Sequence, residues 1–270
     1  MNRQQRLMSF NNATNLGCYQ DASKANLQAC KPRDIKRCDS LQQAVHRGGL
    51  QDGMTISFHH AFCSGDLALN QVMETLVAIG FRNLTLASSS LSDCHAPLVG
   101  HICNDVVSCI YISGLRGSLA DAISRGLLQI HFHGGRVNLI ESGELKIDVT
   151  FLAVPACDEF GNANGYSGEA CDSIGYARVD AEAAETVVVL TEQILPYPHH
   201  PASLAQDRVD LIVQLKQVGE ADEISADTTR MTSNPRELLI ARRVAEVIAG
   251  FDCFTEGFSL QIGTEGLHWR

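Results

Sequence analysis

Short unbroken runs of Val, Ile, Leu and Phe recur along the chain, and stretches with apolar residues every third or fourth position fall between them. The first run, MTISF (54–58), follows an Asp52-Gly53 turn signal. NLTLAS (83–88), VVSCIYI (106–112), QIHFH (129–133), KIDVTFLAV (146–154), TVVVLT (186–191) and VDLIVQL (209–215) continue the series. Runs of this length without alternation predict strands buried on both faces. Between them, LQQAVHR (41–47) behind a capping Asp39 or Ser40 predicts a helix that stops at Gly48-Gly49. Leu69, Val72, Met73, Leu76 and Ile79 repeat at helical spacing until Gly80, and APLVGHIC, SLADAIS and PRELLIARRVAEVIAG predict further helices. Strands alternating with helices specify an α/β fold: a mostly parallel open sheet with helices on both faces.

In such a sheet ligands bind at the carboxyl ends of the strands. Four polar or Gly-rich segments follow predicted strands there: HHAFCSGD (59–66), ASSS (87–90), HFHGGR (131–136) and VPACDEFGNANG (154–165). The first must leave a strand and enter a helix, which leaves backbone N–H groups at the helix entrance, suited to an anion or a developing oxyanion. His59 and His60 add titratable groups and Asp66 is placed to cap; the same two rings can equally be satisfied by backbone carbonyls. In HGGR, Gly134-Gly135 predicts a turn that lets a ligand approach the backbone, and the planar fork of Arg136 can hold a carboxylate. A surface ion pair with Glu141 or Glu144 is the plainer alternative, and Arg230 poses the same choice. Ser88, Ser89 and Ser90 offer hydroxyls or a turn. His59, His60 and Cys63 with His131 and His133 lack the fixed spacing of a zinc site, so no metal is expected.

Composition narrows the classes. The 270 residues are 45% hydrophobic and 19% charged, ordinary for a globular protein. A net charge of −10 argues against nucleic acid or an anionic membrane as partner. No apolar run reaches the roughly 18 residues of a membrane span, and the opening MNRQQRLMSFNN lacks a secretion signal's apolar middle, so the expected compartment is the cytoplasm. Ten cysteines without a C-x-x-C pair read as free thiols. No nucleophile elbow, Walker loop or G-x-G-x-x-G is present. Residues 1–38 read as an irregular arm and 39–257 as the α/β domain.

DGMTISFHHAFCSGD, LTLASSSLSDCHAPLV, GLRGSLADAIS, HGGR, ESGELKIDVTFLAVPACDEFGNANG, GYARVDA, LPYP, DTTRMTSNP and GFSLQIGT, in that order from about Asp39 to Thr264, resemble the citrate lyase alpha chain family, the citrate CoA-transferase subunits. The resemblance implies a CoA-transferase-like first domain and an enzyme that exchanges acetate for citrate on an acyl-carrier-protein thioester. It also implies a dephospho-CoA-derived phosphopantetheine arm as the thioester carrier, the beta and gamma (acyl carrier protein) subunits as partners, citrate and acetate as ligands, and a homo-oligomer. Catalytic roles are implied for His59, His60, Phe62, Gly65 and Asp66, and substrate binding for Ser89, Ser90, His133, Gly134, Gly135, Arg136 and Arg230.

Two departures stand out. The family turn resembles HHHFR, whereas Ala61 and Cys63 stand here in place of a histidine and an arginine. Relatives also continue past the segment resembling GFSLQIGT into a second α/β domain, where this sequence reads EGLHWR; the resemblance implies that 258–270 is the truncated start of that domain, and a frameshift that leaves about the family's first half is the expectation. Two other readings stay open: a non-catalytic remnant that still binds the citrate lyase complex, and a sugar-phosphate isomerase or sensor-like domain of related topology.

Overall fold

A computed structural model describes residues 36–59, 62–115, 118–123, 127–171, 174–226 and 233–259. The predicted strands all form. Eight parallel strands make the main sheet: β1 (Arg37–Cys38), β2 (Thr55–Phe58), β3 (Leu84–Ser88), β5 (Val107–Ile112), β7 (Leu128–Ile130), β8 (Val149–Asp158), β10 (Thr186–Leu195) and β11 (Leu211–Gln214). Their order is β1-β11-β10-β8-β2-β3-β5-β7. The short β9 (Ala163–Asn164) folds back antiparallel on β8, and β4 (Ser90–Leu91) pairs with β6 (Gly114–Leu115) in a separate two-stranded sheet. The edge strand β1 lies inside the stretch expected to be an irregular arm; two residues carry too little periodicity to be read as a strand.

Alternation along the strands sorts two cores. Ile56, Phe58, Phe151, Val188 and Leu190 face one side, against α1 (Leu41–Arg47), α2 (Ala68–Ile79) and α3 (Leu98–Cys103) through Ala44, Val45, Leu69, Val72, Leu76 and Leu98. Phe58 and Phe151 sit directly opposite across β2 and β8 and stack with ring centroids 5.6 Å apart. Leu152, Val154, Val187 and Val189 face the other side, where α6 (Ala177–Ala183) supplies Ala177 and Ala181. On that side Ala87 meets Ile140 of α5 (His133–Glu141), with Leu145 and Ile147. The remaining helices are α4 (Ser118–Ile123), α7 (Ala221–Ala226) and α8 (Pro235–Ala249).

Register fixes the rim. Phe58 lies opposite Ser88, Ala87 opposite Tyr111 and Ile112 opposite Ile130, so the loops after β2, β3, β5 and β7 leave one edge together. β8 does not stop there. Phe58 pairs with Phe151, yet β8 runs on to Asp158 beside β10; at about 3.3 Å per residue this ladder stands roughly 20 Å beyond its neighbours. The DEFGN turn therefore caps a projecting wall rather than sharing the rim's level. Its Asp158 accepts hydrogen bonds from the Phe160, Asn162 and His199 amides and from Asn162 Nδ2. Burial opposes ionisation of this carboxyl, but those bonds outweigh it and hold its pKa below the ordinary value.

Candidate functional site

The loop after β2 is clamped from below. Cys63–Gly65 forms a 3₁₀ turn with Gly65 N–H donating to Phe62 O at 2.8 Å. Gly65 O accepts from Glu220 N–H, Leu67 N–H donates to Val218 O, and Asp66 bridges to Gly219. Phe62 is buried, and a Cβ on Gly65 would come within 2.6 Å of Glu220 O. Asp66 accepts from Ala68 N–H at 2.8 Å and lies 3.2 Å from His95 Nε2. Three amides of the turn are thus engaged: Gly65 N–H by Phe62 O, Leu67 N–H by Val218 O after β11, and Ala68 N–H by Asp66. Phe62, Gly65 and Asp66 build the loop and pack against the protein around it.

His59 is the loop's buried chemical group. Its ring stands 3.0 Å from Ala153 O, and since a carbonyl can only accept, the proton is on Nε2. Nδ1 then carries a lone pair, and it is buried with no hydrogen-bond partner among the described residues. Burial pushes the pKa below the ordinary histidine value, against the pull of Asp180. With the proton on Nε2, Nδ1 is left as an acceptor. His60 and Arg230 lie outside the described residues.

The HGGR segment is a helix start, not a Gly-Gly turn. α5 begins at His133 after an extended Phe132, no side chain caps it, and Gly134 has open space where a Cβ would go. The helix turns Arg136 inward beneath the sheet. There its Nη1 and Nη2 donate to the two carboxylate oxygens of Asp180 at 2.8 and 2.9 Å, in the two-pronged geometry of a strong pair. Nη2 also approaches Ser57 Oγ and Ala87 O, Ser57 Oγ donates to Asp180, and the guanidinium stands 5.4 Å from the Tyr176 ring centre. Arg136 is fully buried, with its fork on Asp180. It lies on the same sheet face as His59: Ser57 and His59 alternate onto one side of β2, and the charges of Asp180 and Arg136 act on His59.

The serines extend this rim. Ser88 Oγ donates to Ser90 O, Ser89 O accepts from Ser113 N–H, and Ser90 begins β4. His133 is exposed and leans on Tyr176, with ring centres 5.9 Å apart. Register sets Ser88 beside Phe58, next to His59, and Arg136 Nη2 approaches the carbonyl of the preceding Ala87. Asp180, Tyr176 and His95 were missed. GYARVDA shows Asp180 as a lone acid between Ala177 and Ala181 on an apolar helix face, a pattern that asks for a buried cation.

The model of the citrate lyase alpha subunit family (CitF) matches residues 34–269. The chain belongs to the citrate lyase alpha subunit family. The citrate lyase alpha chain of Escherichia coli K12 is 61% identical over 98% of this chain and 53% of its own length, and that of Klebsiella pneumoniae is 62% identical over 87% and 47%. A solved Streptococcus mutans structure, described as the alfa subunit of citrate lyase in complex with citrate, superposes with a TM-score of 0.79 at 43% identity, over 87% of this chain and 47% of that one. The chain thus spans about half the length of the family relatives it matches.

Proposed function

We propose that the chain is the first half of a citrate CoA-transferase subunit, which exchanges acetate for citrate on an acyl-carrier-protein thioester. The observation that carries this reading is the 61% identity, over 98% of the chain, to a citrate lyase alpha chain. The citrate-bound relative at 43% identity supports citrate as ligand. In the reaction the acetyl C–S bond of the carrier's thioester breaks and the same sulfur forms a C–S bond to a citrate carboxyl carbon; the oxygen this carboxylate gives up ends on the acetyl carbon, which leaves as acetate. The beta and gamma subunits are the partners, the carrier's phosphopantetheine-like arm enters as part of the substrate, and the compartment is the cytoplasm.

The chain's own groups take roles that their chemistry permits. Nδ1 of His59 accepts a hydrogen bond, which suits the tertiary hydroxyl of citrate and not a carboxylate. The uncapped first-turn amides of α5, at His133, Gly134 and Gly135, donate to a carboxylate at the positive end of the helix. Ser89 and Ser90 line the neighbouring rim. Arg136 holds α5 and α6 in register through Asp180 and so positions those amides. The projecting β8–β10 wall screens one side of the site from water.

The test is isotope exchange. Carrier protein charged with labelled acetate is mixed with the chain, with and without citrate, and with and without a polypeptide carrying the relatives' other half. Citrate-dependent release of labelled acetate is expected. Citrate binding without release of labelled acetate in any mixture would overturn the exchange reading, and so would no citrate binding at all.

A further inference from the structure

The unmet hydrogen bonding of the described residues is not spread evenly. Seven buried side-chain atoms among them lack a hydrogen-bond partner, and four of the seven lie where strands of the rim end. They are His59 Nδ1 after β2, Ser113 Oγ after β5, His131 Nε2 after β7 and Arg136 Nε on α5. Buried polar atoms are normally paired, so their concentration marks where a polar ligand completes the protein's own bonds.

Two of the four are held most firmly. His59 is 4% exposed and Arg136 1%. Ala153 O pins the imidazole through Nε2, so Nδ1 can only accept. The two Asp180 oxygens pin the guanidinium through Nη1 and Nη2, so Nε–H can only donate and is not free to swing to another acceptor. The two groups share one neighbourhood. Ser57, two residues before His59 on the same face of β2, lies 3.5 Å from Arg136 Nη2, and the charge of Arg136 acts on His59. One atom of this pair asks for a proton and the other offers one. A carboxylate answers only Arg136, because it carries no proton at neutral pH. A hydroxyl answers both, donating its proton to His59 Nδ1 and accepting from Arg136 Nε–H on a lone pair.

We infer that His59 and Arg136 form a hydroxyl-reading subsite, by which the chain selects a hydroxylated polycarboxylate over its deoxy counterpart. The inference rests on the proposed citrate reading and adds to it the basis of substrate choice. Citrate has a single hydroxyl, and tricarballylate is the same skeleton with hydrogen in its place. Tricarballylate leaves a buried acceptor and a buried donor unpaired, and a site built to pair a hydroxyl rejects an analogue lacking it far more strongly than apolar contacts do. The carboxylates are common to both acids and set no preference between them.

Calorimetric titration of the chain with citrate, tricarballylate and the analogue bearing fluorine in place of the hydroxyl tests this. Citrate is expected to bind at least about 100-fold tighter than tricarballylate. Fluorine keeps roughly the hydroxyl's size but brings no proton for His59, so the fluorinated acid is expected at least about tenfold below citrate. His59→Phe and Arg136→Lys should each lower the citrate-to-tricarballylate ratio at least about tenfold through lost citrate affinity, and tricarballylate binding reports that the variant is folded. A ratio unchanged in both variants would overturn the assignment of these residues. If neither variant folds, the three acids on the unsubstituted chain decide: tricarballylate or the fluorinated acid binding as tightly as citrate overturns the subsite and leaves the citrate reading standing. No binding of any of the three overturns both.

Discussion

Removing the Asp180 carboxylate tests the network that fixes α5 against α6. In Asp180→Ala, Arg136 keeps its full charge in a buried position and loses two hydrogen bonds of 2.8 and 2.9 Å, while Ser57 loses its acceptor. Stranding one member of a buried pair costs about 3–5 kcal/mol, a large share of the roughly 5–15 kcal/mol that holds a domain folded. The double variant Arg136→Met/Asp180→Leu removes both charges at similar volume and is expected to recover most of that loss, giving a coupling of at least about 2 kcal/mol. Urea denaturation followed by far-ultraviolet circular dichroism reads all four corners of the cycle, with the slope m held constant as the two-state check. The opposite assignment gives a different pattern. If Arg136 clamps substrate and not Asp180, then Asp180→Ala costs under about 1 kcal/mol and Arg136→Met weakens citrate binding at unchanged stability. That result would refute the structural role argued above.

His59 gives a pH signature. Its folded pKa lies below the ordinary value because burial disfavours the charged ring, so below pH about 6.5, where unfolded histidine protonates, the unfolded state binds more protons and stability falls with pH. His59→Gln should flatten that limb between pH 6.5 and the lowered folded pKa in chemical denaturation, and an unchanged slope would place the titrating group elsewhere. Gly65→Ala puts a Cβ 2.6 Å from Glu220 O and should cost about 1–3 kcal/mol through overpacking, read as a lower thermal midpoint. Gly134→Ala meets nothing within 4 Å and sits in a helix, so a gain of up to about 1 kcal/mol is expected; a loss would restore the Gly-Gly turn. Asp158→Ala leaves the Phe160, Asn162 and His199 amides without their acceptor and should cost about 3 kcal/mol, measured by the same denaturation.

Fold class was legible because buried parallel strands read as unbroken apolar runs, and every run from MTISF to VDLIVQL became a strand of the sheet. Boundaries were harder. Pro155, Cys157 and Asp158 extend β8 well past the Val run, since pairing with β10 overrides the weak strand preference of those residues. QIHFH was cut short at Ile130 because His133 to Arg136 enter a helix, an outcome two glycines disguise. The site was legible as a set of rim loops but not as roles. Residue type alone does not reveal that Arg136 faces Asp180, 44 positions away, or that Ala153 O fixes the tautomer of His59. Both are long-range pairings that only the closed sheet creates.

The edge strand β1 has a consequence for biosynthesis. Arg37 pairs with Ile212, 175 residues later, so at about 5–20 residues per second a ribosome needs roughly 10–35 s after making the first to deliver the second. Until then β1 is an unpaired ribbon on a nascent chain. It can join the sheet only after β11 has emerged, so this edge of the sheet closes late in synthesis.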